Sequence, residues 1–403
     1  MSEPKKTVLI SGASIAGPAT AYWLNRYGFS TTIVERAPEL RLGGQNVDVR
    51  GVGREVIKKM GMESAVLEHN TGEVGIKLVD AQEYEWTRFA ASANGPTAEL
   101  EILRGDLSQL LVDATEKETE YIYGDSIKTL EDKDDGKVMV TFQRGEAREF
   151  DFVIVADGLN SRTRKLVVGD EAVFKPLNLY IAYFTVPRTE TDTGWAKWYT
   201  FAKKRVMFIR PDNHGTTRVS LGWLQEPCGY EKLDKQGFVD LLRQRFTGAA
   251  KEVNRVLDDL DTTEDLYYEA VGQMKTPRWH SGRTVLVGDA AYCASPLSGM
   301  GTSLALAGAY TLAGELAKNR DQPEEAYEAY RRVMRPIVDK AQKLPPGVPG
   351  LVYVESEWGV TVLNTITKVL VFFATLPYVI PLLERIFMPS ADKHLPDYSK
   401  YLV

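Results

Sequence analysis

The chain reads as an α/β protein: a parallel-sheet domain with an antiparallel sheet inserted in it and a helix near its C-terminus. Three observations predict this. A strand, a glycine turn, a helix and a second strand open the sequence, and two later apolar strands run into paired aspartate and glycine residues. Between them, from Leu179 to Gln225, the chain changes to short aromatic and β-branched runs divided by turns, which is the pattern of antiparallel pairing.

The first element is predicted as a buried strand over Thr7–Ser11. Gly12-Ala13-Ser14-Ile15-Ala16-Gly17, a helix over Pro18–Tyr27 and a strand over Thr31–Val34 follow, and Glu35-Arg36 ends the unit. Glycines in such a turn permit a tight bend and close helix–strand packing. The helix start faces a pyrophosphate, and an acid about 20 residues on accepts the ribose hydroxyls. This is a Rossmann-like nucleotide site with Gly12, Ser14, Ala16, Gly17, Glu35 and Arg36 as its candidates, although Ser14 replaces the middle glycine. Glu35 favours an unphosphorylated ribose, as in FAD or NAD, because it would repel a 2′-phosphate.

A second apolar run, from Asp151, ends in Asp157-Gly158, with Ser161, Arg162 and Arg164 in the next turn. Alone it reads as a turn with a helix cap at Ser161. A third, Val285-Leu286-Val287, meets Gly288-Asp289. After a loop ending in Pro296, Gly299, Met300 and Gly301 open a helix of small residues over Thr302–Leu316. An aspartate there accepts hydroxyl hydrogen bonds, and free amides at a helix start stabilise negative charge.

In this order the three segments resemble the class A FAD-dependent aromatic monooxygenases, the para-hydroxybenzoate hydroxylase type, from residue 5 to about 340. The resemblance implies a Rossmann-like FAD-binding domain holding noncovalent FAD, with Asp157, Gly288 and Asp289 at the cofactor and Arg50 and Arg104 beside it. It places Pro296, Gly299, Met300 and Gly301 at the flavin N1–C2=O edge, where amides serve and no protein nucleophile is needed. It implies NADPH or NADH as a transient co-substrate and oxygen transfer through a flavin C4a-hydroperoxide. Within the family the Gly43–Gly51 loop and the long tail are most similar to the tetracycline-inactivating monooxygenases and polyketide hydroxylases. The implied substrate is an electron-rich polycyclic phenol or enol. A single-ring phenol, a quinone or isoprenoid met at a membrane surface, and a binder without activity are rival readings. Halogenation is another, but the Trp-x-Trp-x-Ile-Pro motif typical of flavin halogenases is missing.

The expected organisation is residues 1–75, 104–178 and 270–342 for the FAD-binding domain and 76–103 with 179–269 for the substrate sheet. A linker then leads to a bridging helix and tail over 350–403. Strands are expected at Ile76–Val79, Glu85–Phe89 and Glu99–Leu103, then at Leu179–Val186, Ala196–Phe201, Arg205–Arg210 and Thr217–Gln225. Helices are expected at Leu107–Thr119, Asp240–Phe246 and Lys251–Leu257. Tyr183, Trp198, Phe208 and Trp223 are the candidate rings of an aromatic pocket.

Val360–Leu376 is the most apolar stretch, yet Thr361, Asn364, Thr365, Lys368 and Thr375 form a polar stripe, and Pro377 and Pro381 follow. An amphipathic helix packed on the body is therefore expected, not a membrane span. A net charge of −6 argues against nucleic acid. Cys228 and Cys293 make no disulfide framework, and His69, His214, His280 and His394 show no metal-ligand spacing. A cytoplasmic monomer without a secretory leader or a metal is expected.

Overall fold

The computed structural model describes residues 4–91, 100–374 and 394–403. Strands are numbered in chain order. A six-stranded sheet joins β1 (Thr7–Ser11), β2 (Ser30–Glu35), β7 (Thr119–Tyr123), β11 (Phe152–Val155), β17 (His280–Ser281) and β18 (Thr284–Leu286), in the order β17-β18-β11-β1-β2-β7. All its pairs are parallel except β17 with β18. Its strands are apolar on both faces because both are covered. Val8, Ile10 and Ile154 pack with the helices Ala16–Arg26, Gly301–Lys318 and Pro323–Ala341. Leu9, Val34 and Val153 pack against a small antiparallel sheet of β8 (Ile127–Asp132), β9 (Val138–Phe142) and β10 (Arg148–Phe150), which the sequence reading missed.

The helix expected over Leu107–Thr119 runs instead from Arg104 to Asp113. Residues 114–118 form a turn and Thr119 begins β7, where its hydroxyl accepts from Asn25 and shares a hydrogen bond with Thr31.

A seven-stranded sheet has the order β16-β12-β15-β14-β13-β4-β5. It is built from β4 (Gly75–Val79), β5 (Glu85–Ala90), β12 (Val173–Pro187), β13 (Trp195–Phe201), β14 (Arg205–Pro211), β15 (Thr216–Leu224) and β16 (Tyr267–Lys275). The expected strands are all here except Glu99–Leu103. That segment is β6 (Glu101–Leu103), which pairs with β3 (Asn46–Asp48) in a separate two-stranded ribbon, Val47 opposite Ile102. β16 was not expected and crosses the boundary drawn at residue 269. β12 carries a bulge between Pro176 and Leu179, and Asn178 takes the left-handed conformation there, φ 55°.

One face of the large sheet is covered by the helices Lys235–Phe246 and Lys251–Asp258, which bury Tyr180, Phe184, Met207, Leu221 and Trp223. The other presents Leu179, Ile181, Val206 and Val271 to Tyr353 and Leu297.

The tail departs from expectation in its facing. The helix Glu357–Ala374 packs against β5 and β13, with Val360 and Asn364 buried, the latter 3% exposed, while Ile366, Val369, Leu370, Phe372 and Phe373 stand exposed. The expected inward apolar stripe therefore faces out over most of its length. Thr375, Leu376, Pro377 and Pro381, like Glu99, lie outside the described residues. Residues 394–403 return to the six-stranded domain, where Tyr398 is buried and its hydroxyl donates to Glu315 at 2.8 Å. The tail thus touches the seven-stranded sheet and the helices that cover the six-stranded one. Among the described residues no helix is long and apolar enough to cross a membrane.

Candidate active site

The C-terminal ends of β1, β11 and β18 bring the three motifs together. At the first, Gly12 has φ 108°, and a Cβ on it would stand 2.5 Å from the Ala156 carbonyl oxygen. A Cβ on Gly17 would lie closer still to the Gly12 carbonyl, so only glycine lets the helix start press onto the turn. Glu35, buried at the end of β2, accepts from the Ala13 amide at 3.0 Å and the Ala37 amide at 2.9 Å. Each carboxylate oxygen retains acceptor capacity for a ribose hydroxyl. Arg36 beside it is exposed.

Ser14, the departure from the glycine pattern, has a structural reason. Its hydroxyl accepts from Arg104 Nη1 at 3.0 Å, and Arg104 Nη2 donates to the Gly43 carbonyl. Burial lowers the Arg104 pKa, the Arg41 charge adding to the effect. Arg104 therefore ties the first turn to the Gly43–Gly51 loop. Gly44 must be glycine here, at φ 132°, since a Cβ would meet the guanidinium at 2.5 Å. Two arginines of the large sheet grip the same loop: Arg218 reaches the Gly44 carbonyl at 3.3 Å and Arg210 the Asn46 carbonyl at 3.5 Å. Arg210 is itself held by Glu73 and Glu101. Sequence reasoning missed this clamp, whose only signal was charge within apolar strands.

At the second motif Asp157 Oδ2 accepts from Thr163 at 3.0 Å, while Oδ1 is buried and has no hydrogen-bond partner among the described residues. Burial raises its pKa. Ser161 accepts from the Arg164 amide at 2.9 Å, as a cap should, and Arg164 spans to the Ala290 carbonyl at 3.1 Å. Motifs two and three are joined by that contact.

At the third, Gly288 turns at φ 65° and lies against Ala16, where a Cβ would be 3.0 Å from the alanine methyl. Asp289 follows. Protein surrounds its carboxylate, raising the pKa by desolvation, yet the residue is exposed to solvent, so it floors a cleft. Ser295, at φ 78°, and Gly299, at φ 60°, bracket the turn Pro296–Ser298. The helix Gly301–Lys318 then starts behind Met300 with no side-chain cap. Its first amides are available to an anionic ligand edge. Arg50 lies beside this start, its amide donating to Ser303 Oγ at 3.0 Å and its guanidinium to Asp48 at 2.9 Å.

The glycine cradle, the orphaned Asp157 oxygen, the Asp289 floor and the uncapped helix suit a dinucleotide carrying an anionic ring edge. Of the four pocket rings, Tyr183, Trp198 and Phe208 lie on the sheet face toward Leu297, Trp198 and Phe208 with centroids 5.1 Å apart. Trp223 does not. It is 0% exposed on the opposite face, among Tyr180, Tyr230, Phe238 and Phe246, so it is core.

The FAD-binding-domain family matches residues 5–343. The chain is 35% identical over 393 residues to monooxygenase CTB7 of Cercospora beticola, over 92% of this chain and 93% of that protein. It belongs to the FAD-dependent monooxygenases. A flavin-dependent monooxygenase of Legionella longbeachae is 33% identical over 343 residues, 83% of this monooxygenase and 87% of that protein. Among solved structures, tetracycline destructase Tet(55) superposes with a TM-score of 0.81 at 31% identity, covering 99% of this chain and 100% of that one. Klebsiella pneumoniae HpxO with FAD bound shares the fold, with a TM-score of 0.74 at 18% identity over 95% of this chain and 98% of that one. This monooxygenase is a class A member and binds FAD.

Proposed function

We propose that this monooxygenase uses NADPH or NADH and O2 to add one oxygen atom to an electron-rich polycyclic phenol or enol of the tetracycline or aromatic polyketide type. The observation that carries the reading is the pocket wall of Tyr183, Trp198 and Phe208, set opposite Leu297 beside the Pro296–Ser298 turn. The likeness to tetracycline destructases Tet(51) and Tet(55), 30% and 31% identical, supports it. FAD, when bound, supplies the two-electron chemistry with the nicotinamide and oxygen. The chain supplies position and charge. Glu35 holds the ribose, Asp289 and Asp157 take hydroxyls, and the amides from Gly301 onward stabilise negative charge at the flavin edge. The apolar wall excludes water from the reacting oxygen. No second nucleotide fingerprint is present in the sequence, which agrees with the transient nicotinamide binding that the family resemblance implies.

Anaerobic mixing of the FAD-loaded enzyme with NADPH or NADH, with and without tetracycline and a panel of single- and multi-ring phenols, tests this. Faster flavin reduction in the presence of a multi-ring phenol is expected. Acceleration by single-ring phenols alone would replace the substrate reading with its smaller rival.

A further inference from the structure

The edge of the large sheet nearest Asp289 carries polar groups that the aromatic pocket alone does not explain. β12 and β16 pair so that Tyr183 lies opposite Tyr267 and Ile181 opposite Glu269. Residues directly opposite one another in an antiparallel pair share a face. Tyr183 and Ile181 belong to the face that meets Leu297 and Tyr353, so Tyr267 and Glu269 stand on it too. Tyr267 stacks on Tyr183, with centroids 6.2 Å apart and planes 15° off parallel, and its hydroxyl donates to Glu269 Oε2 at 2.8 Å. Tyr267 is nonetheless 49% exposed, so the ring opens onto the cleft.

The groups facing Glu269 are Tyr267 on its own strand, Tyr183 on β12, and Asp289 and Cys293 beyond β18. No lysine or arginine pairs with it among the described residues. Burial, with the Asp289 charge adding, pushes the Glu269 carboxyl up to about 6 against the opposing hydrogen bond from Tyr267. Burial and the neighbouring Glu269 raise the Tyr267 phenol further, so it stays protonated at neutral pH. Tyr183 is half-buried on this face, and its hydroxyl has no hydrogen-bond partner among the described residues. A carboxylate next to a neutral phenol, with a second phenol free to donate, is a proton acceptor joined to an oxyanion donor.

We propose that Tyr267 and Glu269 form the proton-accepting pair of this pocket, ionising the phenol or enol substrate, while Tyr183 donates a hydrogen bond to the resulting oxyanion. The proposal rests on the substrate class proposed above. The substrate O–H bond breaks and its proton passes to the Tyr267 oxygen. The Tyr267 proton moves along the existing hydrogen bond to Glu269, leaving Tyr267 neutral, Glu269 neutral and the substrate anionic. One proton and one negative charge change places and no redox step is involved. The anion is the more nucleophilic ring for oxygen transfer. Because Glu269 must be ionised to accept, the pair works above its pKa and fails as pH falls through about 6.

The test follows the absorbance of tetracycline bound to the FAD-loaded enzyme across pH, without nicotinamide, so no turnover contributes. Wild type, Glu269→Gln and Tyr267→Phe are compared, and FAD stoichiometry is measured for each. The expected result is that both variants keep FAD but ionise bound tetracycline at a pH at least one unit higher than wild type. The acid limb of the wild-type turnover profile should also be lost in Glu269→Gln. Bound tetracycline ionising at the same pH in all three proteins overturns the pair, as does loss of FAD from both variants with no change in ligand ionisation. Wild type binding neither tetracycline nor alizarin, a multi-ring phenol, is a distinct failure: it overturns the substrate class and the pair with it.

Discussion

The six-stranded and seven-stranded sheets are both buried on their two faces, but they do different work with that burial. In the six-stranded sheet the side chains hold the strands and the function sits in the turns at their ends, where Gly12, Gly17, Asp157, Gly288 and Asp289 each answer a backbone demand or offer an acceptor. In the seven-stranded sheet the proposed substrate site sits on the strands themselves. One face is core under two helices and the other is the proposed pocket wall, so neighbours in sequence have opposite roles. A site in turns is separable from the packing beneath it, whereas a site on a sheet face shares its backbone with the core.

Substitutions can break that comparison. The largest effect is expected at Trp223, where Trp223→Ala should lower stability by about 3–5 kcal/mol through the cavity it leaves. Its urea midpoint should fall, and FAD affinity measured under folded conditions should hold. Normal stability with lost substrate binding would put Trp223 back in the pocket. Next comes Gly17→Ala, whose methyl collides with the Gly12 carbonyl. Overpacking of this kind costs about 1–3 kcal/mol, and the damage should fall on FAD retention as well as on melting temperature.

Asp289→Ala should weaken FAD by one to two decades, since a lost hydrogen bond to a charged group costs about 1.5–3 kcal/mol. Flavin fluorescence titration measures it, and the apoprotein should unfold at a nearly unchanged denaturant concentration. Phe208→Ala is expected to raise KM several-fold for a polycyclic substrate with little change in FAD affinity, because Phe208 shares the proposed pocket face with Trp198. The smallest effect is assigned to Ser14→Ala, which removes one hydrogen bond from Arg104. About 0.5–1.5 kcal/mol of FAD affinity should go with it.

The same contrast explains what the sequence made legible. Turn chemistry is local: a glycine whose Cβ would strike a carbonyl marks itself, and Gly12-Ala13-Ser14-Ile15-Ala16-Gly17, Asp157-Gly158 and Gly288-Asp289 all proved to converge. Even the Ser14 exception had its partner, Arg104, among the candidates. Facing on a doubly covered sheet is not local. Trp223 and Phe208 look alike in sequence, and only register and the position of the helix Lys235–Phe246 separate core from wall. The misplaced Glu99–Leu103 strand has the same origin, since a three-residue strand is defined by its partner, β3, more than fifty positions earlier. The tail helix forms and packs on the body as expected, with Thr361, Thr365 and Lys368 exposed, and only its facing departs in part. A polar stripe predicts outward facing only if the stripe is the wet side, and here Asn364 turns inward while Phe372 and Phe373 turn out. Cutting the chain at Val360 would also remove Tyr398 from the core beside Glu315, so truncation tests stability as much as the substrate site.

The central claim is that one oxygen atom passes from O2 to a multi-ring phenol or enol held against the Tyr183 face. Mass spectrometry of tetracycline and aromatic polyketide phenols after incubation with the enzyme, FAD, NADPH and O2 tests it directly. The account predicts a product heavier by about 16 mass units, rising by about two more when 18O2 is supplied, with one nicotinamide consumed per product. Nicotinamide oxidation that yields only hydrogen peroxide across the multi-ring panel, or oxygenation confined to single-ring phenols, would contradict it.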